Sequence, residues 1–152
     1  MREFIPKDPD FAARVEASFA RMQVMGKFGA RPVLCTPGHM EIGLDFDAGL
    51  TQQHGFLHAG VTTTLMDTAC GFAAASLMSR DSGVLTVEFK VNLLSPGIGE
   101  RFRFTGDVLK PGRTISVCEG RAFGFDATGD EKLFASMTAT IMTINDQDHI
   151  KG

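Results

Sequence analysis

Positive charge is neither abundant nor concentrated in this chain. Its 152 residues hold 15 Lys and Arg against 18 Asp and Glu, a formal net charge of -3, with no basic run anywhere. The footprint that nucleic-acid binding requires is therefore missing. The N-terminal stretch MREFIPKDPD lacks the apolar segment of a secretory signal, so the cytoplasm is the expected compartment. Cysteine is scarce as well. Cys35, Cys70 and Cys118 are odd in number, far apart and never in a C-x-x-C arrangement, which fits reduced core thiols rather than a disulfide frame or a zinc cluster. No repeat, low-complexity tract or linker divides the chain. At 43% hydrophobic content it fits one domain, able to bury roughly two-thirds of its unfolded surface.

A second absence is local. From Ala59 to Ser79 there is no basic residue and one carboxyl, Asp67. The segment is long enough to raise the question of a bilayer span, which takes about 20 apolar residues. Four Thr, two Ser, two Gly and Asp67 make it too polar for that, and a buried helix is expected instead. Its lack of a polar face predicts cover on nearly every side. A carboxylate on such a helix is costly unless it is satisfied or used. Thr63 and Thr64, one turn away, could satisfy it.

Around this helix the periodicities are plain. Asp8-Pro9-Asp10 predicts a helix start with Asp8 as cap, Phe11, Val15, Phe19 and Met22 follow at helical spacing, and Gly26 predicts the stop. From His39 to Asp47 the period is two, with Met40, Ile42, Leu44 and Phe46 on one face and His39, Glu41 and Asp45 on the other. After Asp81-Ser82-Gly83 come four period-two runs, Val84 to Leu94, Arg101 to Leu109, Thr114 to Phe125 and Glu131 to Ile144, separated by SPGIGE, KPGR and DATGDE. Each separator holds the Gly or Pro of a tight turn, which predicts an antiparallel meander. An α+β architecture follows: about five antiparallel strands curled around one apolar helix. The divisions expected are an N-terminal helix and lead-in over 1–37, a core over 38–144 and a tail over 145–152.

Gln52-x-x-Gly55-x-x-His58-Ala59-Gly60, followed by Asp67 nine residues after His58 and then by LTVEFKVNLLSPGIGE, resembles the hotdog-fold acyl-CoA thioesterases of the phenylacetate-pathway (PaaI-like) group. The likeness covers nearly all of residues 38–144. It implies a hotdog fold, hydrolysis of an acyl-CoA to a carboxylic acid and free CoA, no metal or organic cofactor, and a homodimer or dimer of dimers (a homotetramer). It also implies site roles. Asp67 would act as general base or nucleophile, the Ala59 N–H would face the thioester carbonyl where most members carry Gly, and Gln52 and Thr86 would hold the water or carbonyl. Gln52 and Ala59 of one subunit would face Asp67 of the other. Where some members have a hydroxyl one turn after the acid, this chain has Gly71.

Independently of the family, unpaired N–H groups at a helix start favour developing negative charge, which suits Ala59 and Gly60. His58 could be a base by type or a structural residue at the helix start. His54 and His58 have no obvious third metal ligand. Thr86 falls in period with Glu88, Lys90 and Asn92, a polar face at odds with a role beside a buried acid unless the strand is bulged or a second subunit covers it. Phe56, Met66, Phe72 and Met78 are candidates for an acyl tunnel, and Lys90, Lys110 and Arg113 for CoA phosphates. Two other functions stay open. An enoyl-CoA hydratase of the same fold would need a His five residues after its acid, where Phe72 stands; an acyl-CoA sensor would have no need of Asp67.

Overall fold

In the computed structural model, which describes residues 3–150, the first helix is α1, Phe11–Arg21. Its start lies later than the sequence suggests. Asp10 takes the cap position, because the Asp8 carboxylate is occupied elsewhere: Arg14 Nε donates to it at 3.0 Å and the Asp10 N–H at 3.1 Å. Arg14 Nη2 in turn donates to the carbonyls of Ala75 and Met78, at 3.0 and 3.1 Å. A cation beside the carbonyls at a helix C-terminus is favourable, so α1 is pinned where the central helix finishes. Gly26 does not stop the helical run. Met22 breaks it, α2 follows over Gln23–Phe28 with Gly26 inside, and Gly29 ends it at φ +71°, a conformation that favours glycine.

The lead-in holds a strand that the sequence pattern does not reveal. β1, Arg31–Thr36, pairs antiparallel with β2, His39–Asp45. Pro32 interrupts its alternation, and Pro is tolerated there because β1 is an edge strand. Met40, Ile42 and Leu44 of β2 are buried as expected, whereas Phe46 lies beyond the strand's end and is exposed.

The central helix, α3, spans Ala59–Ala75 and is followed by β3 Gly83–Leu93, β4 Arg101–Lys110, β5 Ile115–Phe125 and β6 Glu131–Ile144. These make one antiparallel six-stranded sheet in the order β1-β2-β4-β5-β6-β3, curled around α3 as a hotdog fold. The meander holds for β4 to β6 only. β3 joins the far side of β6, because residues 94–100 cross the strand ends instead of turning back, with the Leu94 and Ser95 N–H groups on the Phe134 carbonyl and the Glu100 N–H on Phe125.

Small residues let the sheet close on the helix. A Cβ at Gly106 of β4 would stand 2.3 Å from the Ala69 carbonyl, so only glycine permits this backbone-to-backbone approach. Phe104, Ile42, Leu65, Met66 and Ile141 fill the remaining core. β3 stands apart. At the edge opposite β1 it offers an unpaired side, and Leu85, Val87, Phe89 and Leu93 are all about half exposed.

Candidate active site

Asp67 sits two turns into α3, half-buried and in no ion pair among the described residues. The nearby threonines do not satisfy it. Thr63 Oγ1 donates to the Ala59 carbonyl, Thr64 Oγ1 to Gly60 and Thr68 Oγ1 to Thr64, each at 2.8 Å. Its hydrogen bond comes from β3: Thr86 Oγ1 donates to Asp67 Oδ1 at 2.7 Å. Oδ2 has no partner among the described residues. Burial pushes the carboxyl's proton affinity above the ordinary aspartate value of 3.8, and the Thr86 hydrogen bond partly opposes that rise.

The polar-face assignment of Thr86 is corrected by a bulge. Thr86 pairs with Ile141 and Glu88 with Thr140, so Val87 is an extra residue and the alternation reverses across it. Thr86 therefore shares the inner side with Ile141, while Glu88 accepts from Thr140 and lies on the outer side with Lys90 and Asn92. A bulge leaves no mark on residue type. Without it Thr86 would turn away from α3.

A tight loop leads into α3. The Gln52 N–H donates to the Phe56 carbonyl, Gly55 adopts φ +83°, and the Gln52 side-chain oxygen accepts from the His54 N–H. His58 caps the helix, its Nδ1 accepting the Gly60 N–H at 2.8 Å, which fixes the tautomer with its proton on Nε2. The Ala59 N–H has no acceptor among the described residues. Gln52, Phe56, His58, Ala59 and Gly60 thus gather at one end of α3, and Asp67 with Thr86 lies farther along. Eight residues of helix separate the Ala59 N–H from Asp67, about 12 Å.

An open cleft of about 440 Å³ lies beside Asp67 and Thr86, walled by Phe72 and Gly71 of α3, by Val84 and Leu85 of β3 and by Met22 before α2, with Ser18 and Arg21 of α1 and His149 also in its lining. Of the four tunnel candidates only Phe72 lines it, packed on Phe19 at 5.8 Å between ring centres. Met66 is fully buried core, Phe56 belongs to the loop before α3, and Met78 lines a different recess, together with Lys7 and Arg113. The phosphate candidates are dispersed: Lys90 is exposed on β3 against Asn92, Lys110 ends β4, and Arg113 stands in the β4–β5 turn. Val84, Met22 and Ile150, which also line the cleft, escape sequence reading because apolar residues at such positions look like plain core or tail. Among the described residues no three His, Cys, Asp or Glu side chains are placed to hold a metal ion, and no helix is long and apolar enough to cross a membrane.

Residues 54–128 match the family model of the thioesterase superfamily. A thioesterase family protein from Silicibacter pomeroyi, solved by crystallography, is 51% identical, covers 90% of this chain and 99% of its own, and superposes with a TM-score of 0.87. The medium/long-chain acyl-CoA thioesterase YigI of Escherichia coli (strain K12) is 31% identical in an alignment of 100 positions that covers 57% of this chain. The chain spans 61% of the length of that curated relative. The E. coli PaaI protein from the phenylacetic acid degradation operon shares the fold, with a TM-score of 0.78 over 91% of this chain and 96% of its own at 17% identity.

Proposed function

This chain belongs to the thioesterase superfamily, and from that premise we propose that it hydrolyses acyl-CoA thioesters, with Asp67 as the general base. The observation that carries the reading is the Asp67 carboxylate itself: in no ion pair among the described residues, hydrogen-bonded on one oxygen by Thr86, free on the other, and open to a cleft with Phe72, Val84 and Met22 in its walls. Raised proton affinity suits it to take a proton from water. The water oxygen bonds to the thioester carbon, the C–S bond breaks, and the CoA thiolate leaves and is protonated to the thiol. Charge developing on the carbonyl oxygen needs a donor about 3 Å away, and the free Ala59 N–H at a helix start is suited to that.

One chain does not bring these two groups to one carbon atom. With about 12 Å of helix between them, base and donor must come from different copies. The free edge of β3, with Leu85, Val87, Phe89 and Leu93 about half exposed, is the surface on which a second copy would continue the sheet. The proposed assembly is therefore a homodimer, or a pair of such dimers, with Gln52 and Ala59 of one subunit facing Asp67 of its partner. The step as written draws on no cofactor.

Asp67→Asn tests the chemistry. The amide is nearly isosteric but accepts no proton from water, so kcat should fall roughly 10²–10⁴-fold with KM changed far less. Steady thiol release from acyl-CoA by the parent protein separates hydrolysis from hydration or mere binding, neither of which frees a thiol. Undiminished kcat in a well-folded Asp67→Asn protein would remove the base assignment.

A further inference from the structure

The cleft beside Asp67 has a mixed lining. Asp67 and Thr86 are polar, Phe72, Val84, Leu85 and Met22 give it apolar surface, and Ser18, Arg21 and His149 line it as well. A segment from elsewhere in the chain, carrying His149 and Ile150, also lines the cleft. After β6 the backbone reverses at Asp146, which adopts φ +59°, and Ser82 Oγ holds the start of the turn through Asn145 Oδ1 at 2.7 Å. A 3₁₀ turn over Asp148–Ile150 then lays Ile150 on the first residue of β3. The contact is backbone on backbone. A Cβ at Gly83 would stand 1.8 Å from the Ile150 carbonyl oxygen and 2.7 Å from its Cγ2.

We propose that Ile150 is the end wall of an acyl subsite that accepts straight acyl chains of up to about eight carbons, and that Gly83 is the residue that lets this wall close. The inference rests on the thioesterase reading of Asp67. Its length comes from the strand: Thr86 and Gly83 are three residues apart, roughly 10 Å at 3.3 Å per residue. An extended chain with C–C bonds of about 1.5 Å advances roughly 1.25 Å per carbon, so about eight carbons separate the carboxylate from the wall. Straight chains suit a cleft with Val84 and Leu85 of β3 along one side and with Ile150 set against the first residue of that strand. Ile150 is then a specificity residue that touches the far end of the substrate and takes no part in the bond changes.

The test is a series of saturated acyl-CoAs from four to sixteen carbons, with thiol release measured for the parent protein, Ile150→Ala, Ile150→Trp and Gly83→Ala. In the parent, kcat/KM should climb with length by up to roughly fourfold per buried methylene and stop climbing near eight carbons. Ile150→Ala should move the break two or more carbons longer, and Ile150→Trp should move it shorter. Gly83→Ala keeps every residue of the turn but forces it off the strand, so it should behave like Ile150→Ala. Thermal unfolding of each variant confirms a folded protein, and Gly83→Ala carries the test if Ile150→Ala folds poorly. A parent protein that is active on the series, with the same break in all folded variants, overturns the end-wall assignment and leaves the thioesterase reading intact. No thiol release from any acyl-CoA by the parent overturns both.

Discussion

At the scale of single residues, the Asp67–Thr86 pair sets a pH dependence whose sign can be worked out. As the proposed base Asp67 must be ionised, so kcat/KM should fall as pH drops through its folded-state value, which burial holds above 3.8. Thr86 donates to the ionised form and holds that value down. Thr86→Ala should therefore move the acid limb of the kcat/KM profile to higher pH and lower the plateau roughly tenfold, about 1.4 kcal/mol. An unmoved limb together with an undiminished plateau would make the 2.7 Å contact incidental. The same shift bears on stability. A carboxyl whose proton is held more tightly in the folded state stabilises the fold where it is protonated, and that contribution is lost as pH rises through its folded value. Asp67→Asn should accordingly match or exceed the parent Tm at neutral pH, and the gain should vanish on acidification toward 3.8. Asp67 as a candidate is legible in the sequence, because a lone acid on an apolar helix demands a reason. Its hydrogen-bonded neighbour was legible only through family likeness, since the bulge at Val87 that turns Thr86 inward is a backbone event with no signature in residue type.

The elements show which sequence signals survive folding. Period-two runs gave β2 and β3 to β6 within a residue or two, and the apolar run gave α3, because those patterns are imposed by which face is buried. β1 was missed because Pro32 and the register shift between Pro32 and Leu34 break its alternation, and the place of β3 beside β6 is a long-range pairing that no local pattern encodes. The start of α1 was misjudged for a related reason: Asp8 serves Arg14, and through Arg14 the end of α3, rather than its own helix. That link matters to function, because the α1–α2 segment supplies one wall of the cleft, Met22 among it. Arg14→Met keeps much of the side-chain volume and removes the donors to the Ala75 and Met78 carbonyls. Hydrogen bonds of charged groups are worth enough that Tm should fall by roughly 5–10 °C in a domain of this size. With the wall loosened, KM for an eight-carbon acyl-CoA should rise more than kcat falls. An unchanged Tm would show that α1 is held by packing alone.

For the whole molecule, the proposed mechanism needs a catalytic unit larger than the chain. The proposed donor at the start of α3 and the proposed base about 12 Å along it would serve one carbonyl from two copies, and the apolar edge of β3 is the surface on which a second could pack. In solution the protein should therefore sediment at no less than twice the 16.4 kDa chain mass at micromolar concentration. Subunit mixing tests the shared site most directly. Asp67→Asn removes the base. Ala59→Pro removes only the Ala59 N–H, at a first helical position that suits proline and after a residue, His58, whose ψ of 136° is compatible with a following proline. Each variant alone should lose roughly 10²-fold or more in kcat. Unfolded together and refolded as a mixture, they should form mixed dimers in which one site joins an intact Asp67 to an intact Ala59 N–H. With random pairing, half the dimers are mixed and each holds one good site of two, so about a quarter of the parent activity should return. Mixed dimers, verified by differential tagging, that recover no activity above the two variants alone would contradict a site shared between subunits.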